Sequence, residues 1–534
     1  MKFLTPLLAI LISSVNVSMA QQARAVDVER YIFEVEINDK NDSIKAIATI
    51  RFNLLKDIDN IAIDLVSQRP GGKGMKITSV TENGKRLAYT HADDVVRISL
   101  SSTGKRNESK TIQLQYIGIP ADGLIISKSR YNRRTFFSDH WPNRARHWLA
   151  CVDHPADKAA VEFKVTAPVH YQVISNGSMI EETNLDDTRK LTHYREDTPL
   201  PVKIAAIGVA DFAVRYEGDV NNIPVQSWVF PEDRTKGFYD FGMALEIFPF
   251  FIKNIGPYPF KKLANVQSKT VFGGMENAGA IFYAENAVTG TRKAEVLIAH
   301  EIVHQWFGDM ATEADFAHLW LSEGFATYLP ILYMEHKHGI DTAMKMRIED
   351  RMQAIAYSKQ KVAPVVDFSA TNHLDLLNAN SYQKGGWVLH MLRKQFGDTM
   401  FWNSIRSYYN EHAGKNAVTD DLRKAFERIT GRDLRKFFQQ WLYEGGHPIL
   451  DIQWKYDPDK KQVLVNITQT QKTVFDFPIE IKIDGTKPEE AVTDRFTVTE
   501  KQSSIKIPSM FKPQQILVDP FINLFYEGSV KELK

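Results

Sequence analysis

Hydrophobic and polar residues alternate along this chain with two different periods, and the change of period divides it into three stretches. From about residue 27 to 215, short runs alternate with a period of two, as in 31–37 (YIFEVEI) and 44–52 (IKAIATIRF). Such runs are typical of half-buried β-strands, and these two predict a hairpin. The dipeptide Asn83-Gly84 predicts the turn of another hairpin.

From about 216 to 445 the apolar residues recur with a period of 3.6, which predicts helices. The helical segments are 235–254, 293–308, 314–337, 341–358, 382–396 and 418–443. Alternation returns in 450–456, 463–468 and 479–483, after a Gly-Gly-His-Pro boundary at 445–448 that breaks any helix. We therefore predict a multidomain α+β fold with an N-terminal antiparallel β domain (27–215), a mostly α domain (216–445) and a C-terminal β domain (446–534).

The first 20 residues have the pattern of a secretory signal peptide. Lys2 precedes an apolar run at 3–15, and Ser18-Met19-Ala20 supplies a small-x-small cleavage signature. Since no later stretch approaches about 20 uninterrupted apolar residues, we expect no transmembrane segment in the mature chain. The protein is predicted to be exported, to a periplasm or to the extracellular space.

The composition limits which partners and which kinds of metal site the protein can have. The 534 residues include 66 Lys+Arg against 65 Asp+Glu, and this balance offers no electrostatic footprint for nucleic acid, so we expect no nucleic-acid partner. The chain has one cysteine, which excludes an intramolecular disulfide and a Cys-ligated zinc site. Any bound metal must therefore use histidines and carboxylates.

The motif HEIVH at 300–304 lies in a segment that is apolar nearly all round, which predicts a buried helix. Positions i and i+4 project from one helix face about 6 Å apart, so His300 and His304 can bind one Zn²⁺. Glu301 is displaced by about 100° around the helix, so it stays beside the metal without ligating it.

A second motif, WLSEGFA at 320–326, follows with 18 residues between His304 and Glu323. A second buried helix there can return the Glu323 carboxylate as a third ligand, and a metal would offset the cost of burying that charge. Two histidines and one glutamate leave the fourth tetrahedral position open for water, which is typical of a catalytic zinc. We predict one zinc ion per chain.

Upstream of these motifs lies GGMEN at 273–277. Its two glycines let a backbone approach a ligand closely and leave peptide groups free to pair with an extended substrate. A glycine-rich turn with a solvated glutamate is the alternative that the residues alone leave open.

The order G-x-M-E-N, H-E-x-x-H, 18 residues and then the glutamate of W-L-x-E-G-F-A resembles the M1 family of zinc aminopeptidases, which are gluzincins. The resemblance implies that His300, His304 and Glu323 bind zinc and that Glu301 is the general base. It also implies that Tyr382, in YQKGG at 382–386, stabilises the oxyanion through its hydroxyl.

For the substrate, the resemblance implies a peptide with a free N-terminus, whose α-amine pairs with Glu276. The substrate-binding residues it implies are Gly273, Gly274, Met275, Glu276 and Asn277. For the fold, it implies a thermolysin-like catalytic domain followed by a C-terminal β-sandwich domain.

Two features depart from the family. Trp141 stands where relatives carry a Gln or Glu that acts as a second anchor for the substrate amine. Asp139 could replace that group. Alternatively, Trp141 could form a wall of a smaller pocket or stack on the ammonium. Many relatives also continue into a large helical domain that closes the active site. Here the chain stops after the β stretch, so we expect an open cleft that admits longer peptides.

The motifs favour the aminopeptidase over three alternatives. Epoxide hydrolysis, found among leukotriene-processing relatives, needs a long lipid tunnel. A non-catalytic peptide-binding module does not require the complete set of ligands, base and anchor. A thermolysin-type endopeptidase shares H-E-x-x-H but leaves GGMEN unexplained.

Overall fold

The computed structural model describes residues 25–487 and 489–533, so the predicted signal peptide at 1–20 lies outside the described residues. The chain divides into two compact units. One reaches to Phe316 and includes Glu411–Ala417, and the other comprises Ala317–Asn410 and Val418–Lys534.

The first unit begins with β-strands. In chain order these are β1 (Val26–Glu36), β2 (Ile44–Leu54), β3 (Ile58–Asp64), β4 (Gly74–Glu82), β5 (Lys85–Arg86), β6 (Tyr89–Ala92), β7 (Val95–Gly104), β8 (Ser109–Ile119), β9 (Leu124–Lys128), β10 (Arg134–Ser138), β11 (Ala159–Pro168), β12 (Gln172–Ser175), β13 (Ser178–Asn184), β14 (Arg189–Leu200) and β15 (Ile207–Ala210). They form an eight-stranded sheet in the order β13-β14-β11-β1-β2-β8-β4-β5, a four-stranded sheet β12-β15-β10-β9 and a three-stranded sheet β3-β7-β6.

Both predicted hairpins are confirmed. β1 pairs antiparallel with β2, with Tyr31 opposite Ile50. Asn83 and Gly84 connect β4 to β5 with φ of 50° and 76°, the left-handed values that a two-residue hairpin turn needs. The prediction of a purely antiparallel domain is wrong at one pairing, because β1 and β11 run parallel. The connection between them is long enough to return the chain in the same direction.

A five-stranded sheet follows, which the sequence pattern did not predict. Its strands are β16 (Ala213–Val220), β17 (Ile223–Val229), β18 (Leu263–Ser268), β19 (Gly274–Met275) and β20 (Ala280–Ala284), in the order β16-β17-β18-β20-β19. β17, β18 and β20 are parallel neighbours, and β18 is buried along its whole length. Parallel strands covered on both faces lack the alternation by which a strand is recognised.

Each of the six predicted helical segments contains a helix. The helices are α1 (Arg234–Phe241), α2 (Ala244–Asn254), α3 (Glu295–His304), α4 (Trp320–His338), α5 (Ile340–Gln360), α6 (Gly385–His412, interrupted at Gly397), α7 (Thr419–Thr430) and α8 (Arg435–Phe438). Segment 235–254 is two helices rather than one, and segment 418–443 is interrupted at Gly431. No helix within residues 25–487 and 489–533 is long and apolar enough to cross a membrane.

The remaining strands are β21 (Thr312–Glu313), β22 (Asn416–Ala417), β23 (Ile449–Asp457), β24 (Gln462–Gln469), β25 (Phe477–Asp484), β26 (Ala491–Val498), β27 (Gln502–Pro508), β28 (Gln515–Val518) and β29 (Glu527–Glu532). β21 pairs with β22, and the last seven form the sheets β27-β24-β23-β29 and β26-β25-β28. The three strands predicted near the C-terminus are therefore confirmed as β23, β24 and β25.

Candidate metal centre and active site

Helix α3 presents two histidines on one face. Its apolar residues Ile298 and Ile302 are fully buried, which holds the helix inside the first unit. One turn separates His300 from His304, and their Nε2 atoms lie 3.1 Å apart. Two nitrogens bound to one tetrahedral zinc at about 2.0–2.1 Å would be about 3.3 Å apart, so the imidazole pair fits that ion.

A hydrogen bond orients the His304 ring. Its Nδ1 lies 3.1 Å from the carbonyl oxygen of Phe307, which only accepts, so Nδ1 carries the proton and donates. Nε2 then keeps its lone pair and faces His300. A backbone partner on the far nitrogen is the usual way in which a protein orients a metal-binding imidazole.

Glu323 completes the donor set. It lies in the first turn of α4 and is buried. The ligand atoms of His300, His304 and Glu323 all lie within 4.8 Å of one another. Two imidazoles and one carboxylate are a donor set that suits zinc and leaves a coordination position for a water or a substrate.

The Glu301 carboxylate packs against the backbone of β19. It is 4% exposed, and a Cβ atom added to Gly274 would overlap its carboxylate group. Gly274 is thus a glycine because the Glu301 side chain occupies the space that any other side chain would need. A Cβ atom on Gly273 would meet only the Leu297 side chain, at an ordinary 3.8 Å.

The 273–279 segment begins at the edge of the five-stranded sheet. Gly274 and Met275 pair with β20 on one side, and β19 is the last strand in the order. An edge strand presents one row of backbone groups away from its sheet. Met275 and Asn277 are buried, as is Glu276 at 6% exposure, so this stretch is not a solvated turn.

Gln305 fastens this segment to the end of α3. Its side-chain Nε2 donates to the carbonyl of Glu276 and to Asp309, both at 2.9 Å. Its Oε1 accepts from the N–H of Gly279 at 2.7 Å and from the Tyr258 hydroxyl at 3.1 Å. No motif in the sequence gave Gln305 a role, because partners such as Gly279 and Tyr258 lie in other segments of the chain.

Tyr382 lies half-buried in a π-helical turn, Asn380–Lys384, directly before α6. Asn380 Nδ2 donates to the Ala363 carbonyl at 2.9 Å, and Lys384 Nζ donates to the Gly446 carbonyl at 2.9 Å. These two anchors fix the turn at both ends.

The end of this turn also packs tightly against the helix that carries Glu323. A Cβ atom added to Gly324 would come within 3.0 Å of the Gly385 carbonyl carbon. The close backbone contact brings the chain just after Tyr382 to Gly324, the residue that follows Glu323.

Asp139 has buried partners that occupy its carboxylate. It pairs with Arg144 and accepts hydrogen bonds from Thr270 Oγ1 at 3.0 Å and from the N–H of Val271 at 2.9 Å. Burial raises the pKa of Asp139, and the Arg144 guanidinium opposes that rise. Asp139 therefore orders the loop before Gly273, and its oxygens are already used for that purpose.

Trp141 is 3% exposed and packs edge-on against Phe272 and Phe316, with ring centroids 6.3 and 6.1 Å away. Phe272 directly precedes Gly273. That Asp139 replaces the missing amine anchor, or that Trp141 walls the pocket or stacks on the ammonium, stays a prediction.

Two protein-family models match this chain over ranges that include the residues described above. The family model described as the peptidase family M1 domain matches residues 239–441, and the model of the peptidase M1 N-terminal domain matches 28–202. Aminopeptidase A of Gloydius brevicauda is 26% identical over 389 residues, which cover 70% of this chain and 39% of that protein. Probable aminopeptidase 1 of Sulfurisphaera tokodaii is 23% identical over 541 residues, which cover 94% of this chain and 65% of that protein.

Glutamyl aminopeptidase of Bitis rhinoceros is 26% identical, with 68% of this chain and 38% of that protein covered. The chain thus spans between about two-fifths and two-thirds of the length of these relatives. The two family models together cover most of the described chain, including both metal-ligand motifs. The chain therefore belongs to the peptidase M1 family.

Proposed function

We propose that this protein is a zinc-dependent aminopeptidase that hydrolyses the first peptide bond of peptides with a free N-terminus. The observation that carries the proposal is the convergence of His300, His304 and Glu323, whose ligand atoms lie within 4.8 Å of one another. The names of the relatives agree with this activity, since each of those cited is an aminopeptidase.

His300, His304 and Glu323 would hold one zinc ion. When bound there, zinc acts as a Lewis acid that makes a water more acidic and polarises a carbonyl. Proton transfer, stabilisation of the oxyanion and binding of the substrate amine are assigned to side chains of this chain.

Glu301 is the general base in this proposal. It is buried next to the histidine pair and held against Gly274, which fixes the direction of its carboxylate. A carboxylate oxygen accepts a proton as water attacks the scissile carbonyl carbon, and then delivers that proton to the leaving nitrogen as the C–N bond breaks. The Tyr382 hydroxyl donates a hydrogen bond to the oxygen that becomes negative.

Glu276 limits the cleavage to the first residue. Its buried carboxylate is suited to pair with the α-ammonium of the substrate, and edge strand β19 offers backbone groups to an extended peptide. If the ammonium is held one residue from the metal, only the first peptide bond reaches the base. A blocked N-terminus would leave Glu276 buried and unpaired, which costs affinity.

Two further points belong to the proposal. The signal at residues 1–20 supports export of the protein through a secretory pathway. The family supports a thermolysin-like fold for the helical region and a β-sandwich for the two C-terminal sheets.

The test is a panel of aminoacyl amides, each offered with a free and with an N-acetylated amine. We expect release of the first residue from the free forms alone, loss of that release with a chelator and its return with Zn²⁺. Equal cleavage of acetylated and free substrates would exclude the assigned role of Glu276, and activity that persists in the chelator would exclude the metal.

A further inference from the structure

Helix α5 of the second unit carries an arginine whose side chain is enclosed in the protein. Arg347 is 1% exposed, and its Nε, Nη1 and Nη2 atoms have no hydrogen-bond partner in the part of the chain that the structure describes. The carboxylate of Glu335 in α4 lies 3.7 Å from Nη1, which is beyond the range of a hydrogen bond. A guanidinium does not lose its proton in proteins, so Arg347 is a buried cation with unused N–H donors.

Glu335 does not satisfy Arg347, because another arginine already uses this carboxylate. Both carboxylate oxygens of Glu335 accept hydrogen bonds from Arg393 in α6, at 2.9 and 3.0 Å. Trp387, also in α6, donates its indole N–H to the backbone carbonyl of Arg347 at 3.2 Å and brings no acceptor to the guanidinium. The unused donors of Arg347 therefore indicate a ligand that accepts hydrogen bonds.

The buried charges around Arg347 do not balance. Arg347 and Arg393 are two cations that share the single carboxylate of Glu335. Arg393 also pairs with Asp398 at 2.8 Å, but the side chain of Asp398 is 65% exposed, so that water and salt screen its charge. Burial lowers the pKa of His390 well below its ordinary value, and the charge of Arg347 lowers it further. An excess of positive charge therefore lies in the interior of the second unit.

The surroundings of Arg347 limit the chemistry of the ligand. The ligand must carry a negative charge, since a water molecule would satisfy the N–H donors but leave the buried guanidinium charge uncompensated. It must also be small, because a guanidinium that is 1% exposed leaves no opening for a carboxylate or phosphate attached to a larger molecule. A halide ion meets these conditions, and chloride is the halide that biological fluids contain in quantity.

We propose that the Arg347 guanidinium binds a chloride ion and that this ion stabilises the packing of α4, α5 and α6. Glu335, Arg347 and Arg393 lie on these three helices, so the anion offsets the excess positive charge where the helices meet. An ion that binds the folded chain and not the unfolded chain shifts the unfolding equilibrium toward the folded state. The site binds an anion through a cation, which distinguishes it from the proposed zinc centre.

The direct test is X-ray diffraction from crystals of the full chain soaked in sodium bromide, with data collected at the bromine absorption edge. Bromide replaces chloride in such a site and is identified by its anomalous scattering. We expect an anomalous peak within hydrogen-bond distance of the Arg347 guanidinium. Density for water alone at Arg347 overturns the inference, and so do bromide peaks confined to the protein surface, which would show an adventitious ion only.

A solution test compares thermal unfolding of the full chain in sodium chloride and in sodium gluconate at equal ionic strength. Gluconate carries the same charge but is too large for an enclosed site. We expect the unfolding midpoint to be higher in chloride by about 2 °C or more once chloride exceeds its Kd about tenfold, and to level off at higher concentrations because a single site saturates. Equal midpoints in the two salts would contradict the inference.

Two variants show whether the effect of chloride arises at Arg347. Arg347→Met removes the guanidinium and should abolish both the bromide peak and the chloride-dependent shift. Arg423→Gln is the matched control, since Arg423 in α7 is also largely buried but has carboxylate partners in Asp420 and Glu427, at 3.1 and 2.7 Å. It should keep the shift. A chloride-dependent shift that persists in Arg347→Met overturns the inference, and if that variant fails to fold, the bromide experiment on the unmodified chain decides alone.

Discussion

At the scale of single residues, the two glycines of GGMEN have different reasons to be glycine. From the sequence, both glycines were expected to let the backbone approach a ligand closely. In the structure, the space beside Gly274 is filled by the carboxylate of Glu301, while the space beside Gly273 is open up to Leu297. Gly274 therefore helps to position Glu301, the proposed general base.

The different surroundings of Gly273 and Gly274 predict different effects of an alanine at each position. Gly274→Ala should push the Glu301 carboxylate from its position and lower kcat about tenfold or more, because small displacements of a catalytic group are costly. Gly273→Ala should retain activity close to that of the unmodified protein. Steady-state rates on a free aminoacyl amide, with circular dichroism as a check on folding, give the comparison. Equal rates for the two variants would contradict the close contact.

The residues proposed for chemistry were found from the sequence, because motif spacing alone marks His300, His304, Glu323 and Glu301. Their supporting partners were not. Gln305 is one of them, because its hydrogen bonds to Glu276, Gly279 and Tyr258 join segments that are separate along the chain, and spacing within one segment does not show such contacts. Sequence also left both Asp139 and Trp141 as candidates for the amine site, and the structure adds that the Asp139 carboxylate pairs with Arg144.

At the scale of secondary-structure elements, alternating strands and long helices were predicted correctly, whereas the five-stranded mixed sheet was missed. β1 and β2 have one buried and one open face, which gives a clear period of two. β18 (LANVQS) is buried at all six positions, so its polar and apolar residues do not follow an alternation of exposed and buried faces. The missed sheet matters for function, because its edge strand β19 carries the start of the 273–279 segment.

The link between α3 and that segment is the subject of a second prediction. Gln305→Leu removes four hydrogen bonds and leaves the Glu276 carbonyl, the Gly279 N–H and the Tyr258 hydroxyl without this partner. We expect the free energy of unfolding to fall by about 3 kcal/mol or more, and KM for free aminoacyl amides to rise. Urea denaturation and steady-state kinetics measure the two effects.

The control for this variant is Gln360→Leu, at the exposed end of α5. An exposed substitution of this kind changes stability by no more than about 0.5 kcal/mol. If Gln305→Leu changed neither the free energy of unfolding nor KM more than the control does, Gln305 would not hold α3 to the 273–279 segment.

At the scale of the whole molecule, the changes of period along the chain predicted the broad sequence of a β-rich part, a helical part and a second β-rich part. The structure has this order, and the two family models match the first two parts. The division into two compact units did not follow from the pattern. It depends on the return of Glu411–Ala417 to the first unit, where β22 pairs with β21.

The central claim is that one zinc ion at His300, His304 and Glu323 acts together with Glu301. The most direct test is a zinc titration of chelator-treated protein, with release of alanine from alanine amide measured at each step, for the unmodified chain and for Glu301→Gln. We predict that activity of the unmodified chain rises linearly to a plateau at about one zinc per chain, and that Glu301→Gln binds the same zinc with kcat lowered by about 10²–10⁴-fold. Activity without zinc, or an active Glu301→Gln variant, would contradict the account.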